Sequence, residues 1–187
     1  MTDSSQPRRT LVLLRHAKSA WPDVTDHERP LAPRGEKDAP EVGRWLAAAG
    51  HVPDQVLCSD ARRTRETWQL VREQLEVDPP IAVDEQVYQA TTGSLLNQIR
   101  RTEPSRRTLL VVGHAPAVPE LALLLSGAEP GDAEATARIR EKYPTAAVAV
   151  LEFTGDWAGL EPGAASLVAF VTPRELRPEP AADDAES

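Results

Sequence analysis

The chain of 187 residues contains one cysteine, one methionine, two tyrosines and two phenylalanines. A single cysteine, Cys58, excludes an internal disulfide and suits a reducing compartment. No stretch approaches the roughly 20 apolar residues of a membrane span. The leading MTDSSQPRR (1–9) is polar and has no apolar core of a secretory signal. A cytoplasmic location is the expectation, with no membrane partner. The four histidines form no helical pair and no cluster with cysteine, so metal ligation is not expected. A Gly-rich phosphate loop of the ATPase type is missing too. The net charge of −8 argues against a nucleic-acid partner. It leaves room for a local cationic pocket, and the arginines are indeed clustered.

What is present is a chain of single-domain size with 41% hydrophobic and 27% charged residues. Residues 1–8 read as a disordered N-terminus, 9–172 as one domain and 173–187 as a disordered acidic tail. TLVLL (10–14) and TLLVVG (108–113) are continuous apolar runs, as in strands buried on both faces. Further strands are expected at 54–58, 81–83, 146–153 and 166–171. Helical spacing joins Val42, Trp45, Leu46 and Ala49 before Gly50. It recurs at Thr64, Trp68, Val71 and Leu75, at Leu95, Leu96 and Ile99, and at Val118, Leu121, Ala122 and Leu125. Alternating strands and helices imply an α/β fold, a three-layer α/β/α sandwich with a mostly parallel central sheet. Such sheets bind ligands at the carboxyl ends of their strands.

Those ends carry the chemistry. The first strand runs into Arg15-His16, the second into Ser59 and the arginines at 62, 63 and 65, and TLLVVG into His114. Arginine matches phosphate oxygens with a planar, permanently charged fork. A helix N-terminus adds unpaired N–H groups. A neutral imidazole is a competent nucleophile when its other nitrogen is held by a hydrogen bond. One histidine at a strand end is usually structural; Arg-His at one tip and His at another is a more specific pattern. It reads as an anion site for phosphate. For adjacent Arg15 and His16 to share one pocket, the chain must leave strand geometry at or just before the pair, because neighbouring strand residues face opposite sides.

The motifs LLRHAKS (13–19), RPLAPRG (29–35), CSDARRTRET (58–67), VVGHAP (111–116) and EKYPTAA (141–147) resemble the histidine phosphatase superfamily, with its phosphoglycerate mutase-like fold. Within it they look most like the SixA-type phosphohistidine phosphatases. The resemblance implies a metal-independent hydrolase without a cofactor, in which His16 becomes phosphorylated and Arg15, Arg63 and His114 hold the phosphoryl oxygens. It places the pocket arginine at 63, with Arg62 and Arg65 on the helix surface. Ser19 is a further candidate substrate contact. Mutase-type relatives supply a glutamate as general acid; here Glu85 stands at about that place, with Asp84 as a rival. The partner implied is a phosphorylated protein or a small phosphate ester. The alternatives are a small-molecule phosphomonoesterase and a non-catalytic phosphate-binding module. A cysteine-based phosphatase fits poorly, since position 64, six after Cys58, is threonine. Lys18 rims the pocket or stays solvated, Tyr88 lines the mouth or the core, and Arg34-Gly35 fixes a turn. The oligomeric state stays open, and a monomer is compatible with it.

Overall fold

The computed structural model describes residues 5–127 and 132–178. Six strands form one sheet: β1 Arg8–Arg15, β2 Gln55–Ser59, β3 Ile81–Asp84, β4 Thr108–Gly113, β5 Val148–Thr154 and β6 Ser166–Val171. Their order is β3-β2-β4-β1-β5-β6. The β1/β4, β2/β4 and β2/β3 pairs are parallel, and β5 and β6 add antiparallel at one side. Among the described residues, seven α-helices accompany it: α1 Pro33–Ala49, α2 Arg62–Arg72, α3 Glu85–Tyr88, α4 Thr92–Arg100, α5 Ala117–Leu125, α6 Ala133–Glu141 and α7 Pro173–Leu176.

The continuous apolar runs are explained by coverage of both faces. Along β1, Val12 and Leu14 pack with Val42 and Leu46 of α1 and Trp68 and Val71 of α2. Leu11 and Leu13 point the other way, toward Leu95 and Ile99 of α4 and Leu121 of α5. Leu11 through Leu14 are all fully buried, so alternate side chains feed two cores. This is the expected three-layer sandwich.

Several boundaries move. α1 begins at Pro33, well before the apolar spacing shows it, because its first turns bury small or ion-paired residues: Gly35, Asp38 and Ala39. Gly50 caps its end in the left-handed conformation, φ 76°. β3 is an edge strand and largely exposed. α6 was not foreseen from its sequence, in which only Ala135 and Ile139 are buried. The domain does not stop at 172. Residues 173–176 form α7, and Arg177 pairs with the buried Asp38 at 3.1 Å. At the other end Arg8 already belongs to β1. The rest of the expected tail, from 179 on, lies outside the described residues. Among the described residues no helix is long and apolar enough to cross a membrane.

Candidate active site

Strands β2, β4 and β1 are neighbours and parallel, so their carboxyl ends open on the same side of the sheet. Arg15 ends β1 and is still paired with Gly113. His16 leaves the strand there, and Ala146 closes the turn by donating its N–H to the carbonyls of Arg15 and His16, at 3.0 and 2.9 Å. Ala146 adopts φ 61° to do so. Both side chains reach a cleft of about 470 Å³, shared with Arg63 and His114. The strand thus breaks inside the Arg-His pair, and one pocket receives all four candidates.

Each is fixed by its neighbours. His16 is buried, and its Nδ1 lies 2.7 Å from the Ala17 carbonyl, which can only accept. Nδ1 therefore carries the proton and Nε2 the free lone pair. Burial, aided by His114 and the two arginines, lowers the His16 pKa to about 3. The imidazole is neutral at pH 7. Ala17 donates its N–H to Thr67 Oγ1 at 3.0 Å, and that hydroxyl donates to the Arg63 carbonyl at 2.7 Å. Thr67 thereby ties the loop after His16 to α2.

His114 follows β4 directly. Its Nε2 lies 2.7 Å from Ser59 Oγ and its Nδ1 3.4 Å from an Arg63 Nη. Burial first, then Arg63, lowers its pKa to about 4. Its ring centroid is 5.3 Å from that of His16. Arg15 donates to the Tyr143 carbonyl at 2.8 Å, and Tyr143 donates its hydroxyl to Leu13, so the EKYPTAA segment braces the tip of β1. Burial lowers the Arg15 pKa, yet a guanidinium stays charged.

The cleft also contains a carboxylate that sequence reasoning missed. Asp26, in a short 3-10 turn (Asp26–Glu28), accepts from Tyr88 at 2.6 Å, from Arg29 at 3.0 Å and from Arg63 at 3.1 Å. The Tyr88 hydroxyl above all, with Arg29 and Arg63, holds it well below the usual carboxylate range. Asp26 is a fixed anion and not a proton donor. Arg29 also donates to Ser19 Oγ and lies against the exposed Trp21. Ser19, Lys18 and Tyr88 line the cleft.

Glu85 does not. It lines an adjoining groove with His27 and Asp60, which meets the cleft at Tyr88 and Gln89. Asp84 is occupied as the cap of α3, accepting from the Gln86 N–H. The general-acid role expected at Glu85 therefore has no support from the lining of the cleft itself. Arg62 is exposed and pairs with Glu66 at 2.7 Å, outside the cleft. Cys58 is buried, and burial pushes its thiol up to about 12, unsuited to a nucleophile. Trp68 is core, and Trp45 packs half-buried against it. No group of three or more histidine, cysteine, aspartate or glutamate residues is placed to hold a metal among the described residues.

The cleft thus gathers two imidazoles, His16 and His114, and two arginines, Arg15 and Arg63. The sequence profile of the histidine phosphatase superfamily (branch 1) matches residues 11–89. The uncharacterized protein Rv1276c of Mycobacterium tuberculosis is 45% identical over 162 residues, spanning 86% of this chain and 100% of its own. A SixA structure from Nakamurella multipartitia is 32% identical with a TM-score of 0.78, covering 89% of this chain and 96% of its own. The protein histidine phosphatase SixA complexed with tungstate shares the fold at 21% identity and TM-score 0.73, covering 90% and 99%. The chain belongs to the histidine phosphatase superfamily and is a phosphatase.

Proposed function

We propose that this phosphatase hydrolyses phosphohistidine carried on a protein, through a phosphoenzyme on His16. The observation that carries the reading is the hydrogen bond from His16 Nδ1 to the Ala17 carbonyl, inside a cleft lined by Arg15, Arg63 and His114. It leaves Nε2 as the nucleophile. In the first step Nε2 bonds to phosphorus in line and the bond from phosphorus to the leaving nitrogen breaks. In the second, water attacks the phosphorylated His16, the P–N bond breaks, and inorganic phosphate and neutral His16 result. Arg15, Arg63 and His114 stabilise the charge on the equatorial oxygens in both steps. Neither step needs a metal or cofactor.

Phosphohistidine is favoured over an ester by the carboxylates. Asp26 is locked in its ionised form and Glu85 lies outside the cleft. A poor leaving group such as a sugar alkoxide needs an acid at that point, whereas an imidazole protonated on its distal nitrogen leaves neutral. The test is turnover of a phosphohistidine peptide beside a panel of sugar and nucleotide monophosphates. Phosphohistidine should lead by kcat/KM, and His16→Ala should abolish turnover while the far-UV spectrum stays unchanged. A leading ester would establish a small-molecule phosphomonoesterase, and appreciable turnover by His16→Ala would remove the nucleophile assignment.

A further inference from the structure

A second groove runs on from the phosphate cleft, and the two share Arg15, Lys18 and Thr145 as a common wall. It is larger, at about 760 Å³. Six of its twelve lining residues are cationic and one, Glu141, is acidic. The whole chain has the opposite balance, 21 basic against 29 acidic residues. A basic groove on an acidic protein, continuous with an anion site, is not what average surface composition produces.

The cations differ in what they do already. Arg138 is held by Glu175 at 2.7 Å, and Arg34 approaches Asp38 at 3.6 Å. Lys18, Lys142 and Arg174 are exposed, and among the described residues no carboxylate forms an ion pair with any of them. They come from three separate segments: the loop after His16, the end of α6 and α7. Pro144, Phe170 and Pro173 add apolar surface between them. Charges spread along a groove with apolar patches match an extended chain better than one compact phosphate.

We propose that this groove binds the acidic flank of a polypeptide substrate, carboxylates beside the phosphorylated residue lying over Lys18, Lys142 and Arg174. The proposal rests on the phosphatase reading of the adjoining cleft and adds the sequence context of the substrate. Unpaired surface cations steer and hold an acidic segment through charge that salt screens.

The experiment compares short peptides carrying a non-hydrolysable phosphohistidine analogue, flanked by Asp/Glu, by Gly/Ser or by Lys, against the unaltered protein and the double variant Lys142→Glu/Arg174→Glu. Binding is read by fluorescence anisotropy, and kcat/KM on phosphoramidate, which has no flank, is the control. The acidic peptide should bind the unaltered protein tightest and lose about tenfold in the double variant, an effect shrinking at high salt. Turnover of phosphoramidate should be unchanged by the substitutions. Equal affinity for all three flanks, alongside normal phosphoramidate turnover, would overturn the groove while sparing the phosphatase. Flank discrimination without phosphoramidate turnover would keep the groove and sink the phosphohistidine reading. With a sugar monophosphate and a sugar bisphosphate added as competitors, a loss in the double variant confined to the bisphosphate would overturn the proposal in favour of a small-molecule subsite. Tighter binding of every peptide by the double variant would also overturn it, since the groove would then be covered by the chain's own acidic residues 179–187.

Discussion

Gly35 gives the sharpest test of how the fold positions the nucleophile. It is the third residue of α1, and a Cβ built there would lie 2.2 Å from the Lys18 carbonyl oxygen and 2.9 Å from the Lys18 nitrogen. Close carbon–oxygen contacts run at about 3.3 Å, so Gly35→Ala must open the gap by about 1 Å. The obstacle is backbone and cannot rotate away. Lys18 O also accepts from the Ala32 N–H at 2.8 Å, so this is the seam between α1 and the nucleophile loop. Helix propensity alone would favour alanine by about 1 kcal/mol, whereas overpacking costs about 1–3 kcal/mol, so the clash outweighs the gain. If the loop yields, Lys18 drags Ala17, whose carbonyl holds His16 Nδ1. A misplacement of about 1 Å costs about a hundredfold in rate. If the helix yields instead, α1 loses packing and the melting temperature falls by several degrees, at about 2–4 °C per kcal/mol. The assay pairs kcat/KM on phosphoramidate with a thermal melt. Gly93→Ala in α4 is the control, since nothing lies within 4 Å of its added Cβ. Gly35→Ala with unaltered turnover and unaltered melting would refute the reasoning outright.

Four further outcomes are expected. Arg63→Ala should lower kcat by about 10²–10³, as loss of an oxyanion donor does, while Arg62→Ala removes an exposed pair of about 0.3–0.5 kcal/mol and stays near unaltered activity; steady-state kinetics showing the reverse order would shift the motif by one residue. NMR titration should find His16 and His114 protonating well below pH 6.5, near 3 and 4, and His27, facing Asp60 and Glu28, above its ordinary value. Between those folded values and 6.5 the unfolded chain binds more protons, so stability falls as pH drops, by about 2 kcal/mol at pH 5 for His16 alone; urea midpoints that are equal at pH 7 and pH 5 would contradict this. Asp26→Asn removes an anion beside Arg63 and should tighten inorganic phosphate by a few-fold, a half-exposed charge being worth about 1 kcal/mol at such range; weaker binding by calorimetry would mean that Asp26 chiefly serves to hold Arg63 in place.

What could be read ahead, and what could not, follows from how far each placement depends on distant chain. Arg15, His16 and His114 were legible because a buried strand announces itself by an apolar run, and its direction dictates where the next side chain goes. A helix start one strand away offered Arg62, Arg63 and Arg65, and the family motif singled out Arg63. Helix α6 was hidden because two buried residues in nine make no stripe, and the start of α1 was hidden by small residues packed against backbone. That Glu85 is not in the lining of the cleft was hidden as well: it follows β3 as expected and opens α3, and no periodicity encodes that turn. Asp26 is the extreme case. Its partners Arg63 and Tyr88 lie 37 and 62 residues away, and its own neighbourhood, DHE, reads as solvated loop. Its carboxylate stands beside Arg63 in the cleft, and only the assembled fold brings this loop residue there. Under the proposed reading, a cleft with a fixed anion, two arginines and a neutral His16 suits leaving groups that need no proton from the enzyme.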